Sequence, residues 1–327
     1  MRAVGFRQYG AAEVLETLDM PKPSVDQNSV LIRVVAASVN PSDPLFRSGA
    51  LKLFIRIKLP FVPGLDVAGV VEAVGSAVTR FRPGDAVYAM LPNTTMGGYA
   101  EYAAMPESSV APLPTALTFS EAASLPCAAM TALQALRDEA QLKLGMSVLV
   151  NGASGGVGMF GVQIAKLLGA HVTATCSTRN LEFVRGLGAD VVLDYTQTDI
   201  TAGGAQYDIV FDAVGVLPFG KAKAVIRPGG VMVTVNFLFA SPPQKFLARF
   251  DRQRRQLKAL LVKPVGADLE TLNAWIAAGK LRTTIDTTYA FTREAVMTAH
   301  QYSESKRVRG KLVLTLDTAL AVHKPQG

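Results

Sequence analysis

The sequence predicts an α/β protein in two parts: a β-rich region followed by a doubly wound parallel sheet. Three observations carry this. Short apolar runs separated by turns fill residues 1–120. After them the rhythm changes, and strands alternate with helices, as crossover connections between parallel strands require. A glycine-rich turn, inside VLVNGASGGVGMFGVQIAKLLGAHVTATCSTRN at 148–180, falls between two strands of the alternating region.

In the first part, SVLIRVVAASV (29–39) and VAGVVEAVG (67–75) are strand-like, and RFRPGDAVYAM (80–90) places a Pro-Gly-Asp turn before another strand. SEAASLPCAAMTALQALRDEA (120–140) reads as a helix capped by Ser120. Strands at 147–150, 171–176, 191–193, 208–212 and 231–235 then alternate with helices at 157–168 and 180–187. The tail from 266 onward holds a helix at 267–278 and ends in the strand-like GKLVLTL.

Composition bounds the rest. A chain of 327 residues is long enough for two domains. Hydrophobic residues at 49% against charged residues at 18% indicate a globular protein. Asn151, Gln163 and Lys166 interrupt the apolar stretches short of the ~18 residues that span a bilayer. The opening MRAVGFRQYG lacks the apolar core of a secretory signal, so a cytoplasmic location is the expectation. The only cysteines, Cys127 and Cys176, lie in apolar surroundings that predict reduced, buried thiols; two cannot build a disulfide framework or a four-Cys zinc lobe. The net charge is +7, and much of it sits in KFLARFDRQRRQLKALLVK (245–263), which reads as a basic amphipathic surface helix. Contact with a membrane surface or nucleic acid is the minor alternative for that segment; no such partner is expected otherwise.

The glycine turn follows a strand and opens a helix, the context in which such a loop holds a dinucleotide. It reads Ala153-x-Gly155-x-x-Gly158, with Gly152 just before. Gly155 lets the backbone approach a pyrophosphate, Gly158 lets helix and strand pack closely, and Ser154, Gly156 and Val157 complete the turn at the positive end of the helix. NAD-binding folds place a carboxylate about 20 residues on to hold the ribose 2′-hydroxyl. Here that position reads Ser177-Thr178-Arg179, a set suited to a 2′-phosphate, and Tyr195 after the next strand borders the same pocket. The expected cofactor is NADPH.

Beyond the turn, ASVNPSDPLFRSG, PFVPGLDVAGVVEAVGSAVTRFRPGDAVYA, GGYAEYAAMPESSVAPLP, EAASLPCAAMTALQAL, DIVFDAVG and RGKLVL resemble the zinc-independent medium-chain dehydrogenase/reductases, in the quinone oxidoreductase and alkenal/enone reductase branch. The resemblance covers nearly the whole chain. It implies a GroES-like catalytic domain on a distorted barrel (1–120 plus 265–327), a Rossmann NADPH-binding domain (121–264), an active site in the cleft between them, and a homodimer. Zinc-dependent members have Cys where this chain has Asn40, and Gly-His-Glu where it has Gly64-Leu65-Asp66. Leucine cannot ligate a metal, and His171, His300 and His323 lie far off in sequence, so no zinc is expected.

The chemistry left is hydride addition to an acceptor that is already electrophilic, a quinone or the β-carbon of an α,β-unsaturated carbonyl, driven by positioning and by hydrogen bonds to the carbonyl oxygen. By resemblance, Asn40 stands near the nicotinamide and substrate, with Asp43 as a second catalytic candidate or a turn residue. Thr131, Val214, Gly215, Asn236, Phe237 and Lys311 are expected to line the cofactor. Tyr99 and Tyr102 are candidate acids, with packing the plainer role for both. Two other activities share the fold: reduction of enoyl thioesters, and a zeta-crystallin-like binding role on RNA or anionic lipid.

Overall fold

The computed structural model describes residues 1–202, 204–236 and 251–324. The chain divides into two compact units, one of Met1–Cys127 with Lys263–Gly327 and one of Ala128–Val262.

In the first unit, β1 (Arg2–Gly5) pairs antiparallel with β2 (Glu16–Asp19). A seven-stranded sheet is built around β3 (Ser29–Val39), which pairs with β4 (Asp66–Val74), β6 (Tyr102–Pro106) and β15 (Lys311–Thr315), all antiparallel. Further strands extend it: β5 (Ala86–Met90) beside β4, β7 (Val110–Pro112) beside β5, and β14 (Ile285–Ala290) parallel to β15. β3 is rich in valine, and only Ser29 and Arg33 along it escape full burial. A strand covered on both faces reads as a continuous apolar run rather than an alternating one. The tail strand β15 therefore enters the same sheet as the N-terminal strands, 271 residues apart where Lys311 meets Asn40.

In the second unit, β8 (Ser147–Asn151), β9 (His171–Cys176), β10 (Val191–Asp194), β11 (Tyr207–Asp212), β12 (Ile226–Thr234) and β13 (Gln256–Ala259) form an all-parallel sheet in the order β10-β9-β8-β11-β12-β13. This is the doubly wound arrangement, and its order reverses between β8 and β11. The apolar residues Val148, Leu149 and Val150 are fully buried, as a central strand between two helical layers must be.

Three local expectations are corrected. The helix expected over 120–140 begins earlier, at Phe119, and Thr118 rather than Ser120 caps it. Thr118 accepts from the Glu121 N–H while Glu121 accepts from the Thr118 N–H, a reciprocal capping box that a T-x-x-E sequence can form and Ser120 cannot. Pro126 then breaks the run into Phe119–Ala123 and Pro126–Gln134, followed by a π-helical turn at Ala135–Glu139. Second, the segment 245–263 is not a basic helix where it is described: 245–250 lie outside the described residues, and Gln256–Ala259 is the edge strand β13. Leu257 on β13 packs into the core with Met232 and Ile226, so the apolar residues read as a helical stripe include a strand's inward face. Third, Cys176 is buried but Cys127 is only partly so.

Candidate active site

Three strand ends of the first unit converge on one buried cluster. Ser38 and Asp66 face each other in the β3–β4 pairing, and one step beyond the last β3–β15 pair, Leu312 with Val39, stand Lys311 and Asn40. The Asp66 carboxylate accepts from the Ser38 hydroxyl (2.7 Å), the Asn40 amide Nδ2 (2.9 Å) and the Cys127 backbone N–H (2.8 Å). The Lys311 ammonium donates to Asn40 Oδ1 at 2.5 Å and lies 3.5 Å from Asp66 Oδ2. The Asn40 amide is thus oriented from both ends, its oxygen toward the cation and its nitrogen toward the carboxylate.

Asp43, in the first turn of the helix Ser42–Ser48, forms a second layer. Its carboxylate accepts from the Asn40 N–H (2.7 Å), the Tyr99 hydroxyl (2.9 Å) and the Gly64 N–H (3.2 Å). Burial pushes the Asp43 carboxyl up to about 6, against the three hydrogen bonds that favour the anion, and the charge of Asp66 adds to the rise. Burial, followed by the neighbouring Asp43 charge, drives the Tyr99 phenol well above its ordinary value. Gly64 is required here: its φ is +99°, and a Cβ would sit 2.5 Å from the Tyr99 ring. Edge-on to Tyr99 lies His300, whose ring burial and the adjacent Arg47 charge lower to about 3.

A zinc ion does not fit this cluster. Leu65 offers no donor atom, and the oxygens of Asn40 and Asp66 already receive the Lys311 ammonium. Among the described residues no three His, Cys, Asp or Glu side chains gather as a metal site.

In the second unit the glycine turn and the β11 end meet at the topological switch point, where such sheets bind ligands. Asn151 closes β8 and donates through Nδ2 to Asp212 Oδ1 at 2.9 Å. The Asp212 carboxylate also accepts from the Gly215 and Leu217 N–H groups, at 3.1 and 3.0 Å, and so sets the loop that carries Val214. Gly152 has φ +81°, and any side chain there would run into Val214. Gly158 packs its α-carbon against the turn, since a Cβ would lie 2.1 Å from the Gly152 carbonyl oxygen. At Gly155 the nearest atom to an added Cβ is 3.7 Å away, so this N-cap of the helix Gly156–Leu167 leaves its face open for a ligand.

The expected cofactor residues fall into three groups. Ser154 and Ser177 are joined by Asn180, whose Nδ2 donates to Ser154 Oγ (3.0 Å) and reaches Ser177 Oγ (3.4 Å). Thr178 donates its hydroxyl to Asp194 Oδ2 at 2.5 Å, beside Arg179 on the 3-10 turn Thr178–Asn180 and the half-exposed Tyr195. The Thr178 and Thr196 hydroxyls hold the Asp194 carboxyl below its usual range. Asn236 donates to the Gly215 carbonyl at 2.9 Å. Gly156 and Val157 open the helix, Thr131 is buried in Pro126–Gln134, and Phe237 lies outside the described residues. Sequence reasoning missed Asp66 as the anchor of the Asn40 amide, and Asn151, Asn180, Asp194 and Asp212 as the frame of the cofactor loops. The signal present was an Asn or Asp ending each of β8, β10 and β11, a place where a polar side chain meets loop N–H groups.

Comparison with known proteins agrees with this architecture. The Alcohol dehydrogenase GroES-like domain family matches residues 26–115, and the Zinc-binding dehydrogenase family matches 187–314. A chloroplast envelope quinone oxidoreductase homolog of Arabidopsis thaliana is 37% identical over 90% of this chain and 92% of its own length. An NADPH-dependent alkenal/one oxidoreductase of the same plant is 38% identical over 96% of this chain and 79% of its own. The solved quinone oxidoreductase of Coxiella burnetii superposes with TM-score 0.87 at 34% identity, covering 97% of this chain and 99% of that one. The chain belongs to the medium-chain dehydrogenase/reductase family, in the quinone oxidoreductase and alkenal/one oxidoreductase branch. It is an oxidoreductase of the quinone and enone reductase kind, from a family that binds a nicotinamide cofactor.

Proposed function

We propose that this chain is an NADPH-dependent, zinc-independent reductase that delivers hydride to quinones or to the β-carbon of α,β-unsaturated carbonyls. The observation that carries the reading is the donor cluster around Asn40: an amide and an ammonium, with no set of metal ligands among the described residues, suited to an acceptor that is already electrophilic. Bound NADPH supplies the hydride. The protein holds the pyrophosphate on the open face of Gly155 and the helix N-terminus behind it, while the loop carrying Val214 and Gly215 is fixed by Asp212. Arg179 and Ser177, at the end of β9 where a ribose-binding carboxylate would otherwise stand, support NADPH over NADH. Asp194 approaches that pocket through Thr178 rather than from β9 itself.

The test is oxidation of NADPH and NADH by the purified protein, with chelator present, using 9,10-phenanthrenequinone and an alkyl vinyl ketone as acceptors. Chelator-resistant turnover that prefers NADPH is expected. Tight NADPH binding with neither acceptor reduced would sink the reading. Arg179→Ala should raise the NADPH Kd by about 10-fold or more, the scale of one lost charge-assisted contact, and leave that for NADH nearly unchanged.

A further inference from the structure

The cluster of Asn40, Asp66 and Lys311 has two protons left over. Asn40 Nδ2 carries two N–H groups, one engaged by Asp66; its oxygen is taken by Lys311 and its backbone N–H by Asp43. The Lys311 ammonium carries three, directed in part to Asn40 Oδ1 and Asp66 Oδ2. Among the described residues no acceptor meets the second Asn40 amide proton or the third ammonium proton. Exposure separates the members in the same way: Asn40 and Lys311 each keep 3% of their surface accessible, whereas Ser38, Asp43 and Asp66 keep none. The acceptors are sealed, and the two donors with protons to spare are those that still reach the surface.

We propose that Asn40 and Lys311 form the binding site for the acceptor's carbonyl oxygen, and that Lys311 is the proton donor of the reaction; this rests on the reductase reading above. Bound NADPH would supply the hydride for the new C–H bond at the β-carbon; the carbon–carbon π electrons would shift and the carbonyl oxygen would gain negative charge. The Lys311 N–H bond breaks as the proton passes to that oxygen, giving the enol; from a quinone the same step gives the keto tautomer, which loses a ring proton to water and takes one up on its second oxygen to become the hydroquinone. The neutral amine regains a proton from water, and the enol tautomerises to the saturated carbonyl. Asp66, 3.5 Å away, holds the ammonium in place beside Asn40, and Asn40, with the ammonium on its own oxygen, donates its spare N–H to the developing anion. Two fixed donors whose side chains are almost wholly buried stabilise such an anion far better than solvent does. The cation sits against the positions that carry metal ligands in zinc-dependent relatives, so the charge that polarises the carbonyl is kept although its chemical source differs.

The experiment uses the full chain and three lysine variants. Lys311→Gln keeps a donor for Asn40 without charge, Lys311→Arg keeps charge and the pairing with Asp66 but does not give up its proton, and Lys311→Ala opens space for an added amine. NADPH affinity is followed by nicotinamide fluorescence, and folding by thermal melting. Binding of the anion site is read without turnover from the absorbance of 4-nitrophenol, whose phenolate mimics the enolate oxygen. The expected result is NADPH affinity within twofold of the parent in all three, kcat lower by about 100-fold in Lys311→Gln and at least 10-fold in Lys311→Arg, and partial rescue of Lys311→Ala by ethylammonium. The parent and Lys311→Arg should stabilise bound 4-nitrophenolate, and Lys311→Gln should not. Full activity in Lys311→Arg, a kcat within threefold in Lys311→Gln, or parallel loss of NADPH affinity and activity would each overturn the assignment. If the parent binds 4-nitrophenolate through Lys311 but reduces no acceptor, the reductase reading fails while the anion site stands. If Lys311→Gln does not fold, the Lys311→Arg comparison alone decides proton donation.

Discussion

Asp43 is buried completely, hydrogen-bonded on both oxygens, and still pushed up to about 6. Desolvation outweighs three donors because two of them are uncharged backbone groups and the third is a phenol, with no cation in contact with the carboxyl among the described residues. Carbon-13 titration of its carboxyl should give a midpoint near pH 6; a midpoint at or below 4 would show that the hydrogen bonds win. Asn40, Asp43 and Lys311 were legible in the sequence as separate residues within recognisable stretches. Their joint geometry was not, because the Lys311–Asn40 contact spans 271 positions and depends on β15 pairing with β3, which no local pattern encodes. Asp66 was visible only as a substitution at a metal-ligand position, and its task as anchor of the Asn40 amide follows from the β3–β4 register.

At the scale of elements, the alternating strands and helices of the second unit were legible because each combines a strong periodic signal with a glycine or proline boundary. The edge strand β13 was not. Its Gln-Leu-Lys-Ala sequence fits a helix as well as a strand, and only pairing with β12 decides. The two glycines of the turn have separable tasks. Gly158→Ala drives a methyl into the Gly152 carbonyl oxygen and should destabilise the protein by about 1–3 kcal/mol, seen as a lower melting temperature. Gly155→Ala meets no atom within 3.7 Å, so the melting temperature should hold while NADPH affinity falls. Equal loss of stability in both would refute the division. Thr118→Ala removes the capping box and should cost about 1 kcal/mol in a denaturant titration, whereas Ser120→Ala, whose buried hydroxyl has no partner among the described residues, should cost nothing or stabilise.

For the molecule as a whole, two buried groups give stability opposite slopes with pH. His300 is lowered to about 3, so its contribution is full above the unfolded value of 6.5 and is lost as pH falls toward 3. Asp43 is raised, so its contribution is full below the unfolded value of 3.8 and is lost as pH rises through 6. Between pH 6.5 and 4 the histidine loses on the order of 3 kcal/mol and the aspartate returns on the order of 2, at about 1.4 kcal/mol per unit. The urea midpoint should therefore change little over that range and drop below pH 4, where Asp43 has no more to return. In His300→Gln the midpoint should rise as pH falls from 6.5 to 4; an unchanged slope would show that His300 is not held neutral.

The carboxylate of Asp212 ties the end of β8 to the loop after β11 through Asn151 and the Gly215 and Leu217 N–H groups. Seen as kinetics, a loop held by its own chain has little left to order between encounter and capture. Cofactor association should proceed in a single phase at a rate limited by diffusion and docking, and sequence changes around the loops should act mainly on the lifetime of the complex.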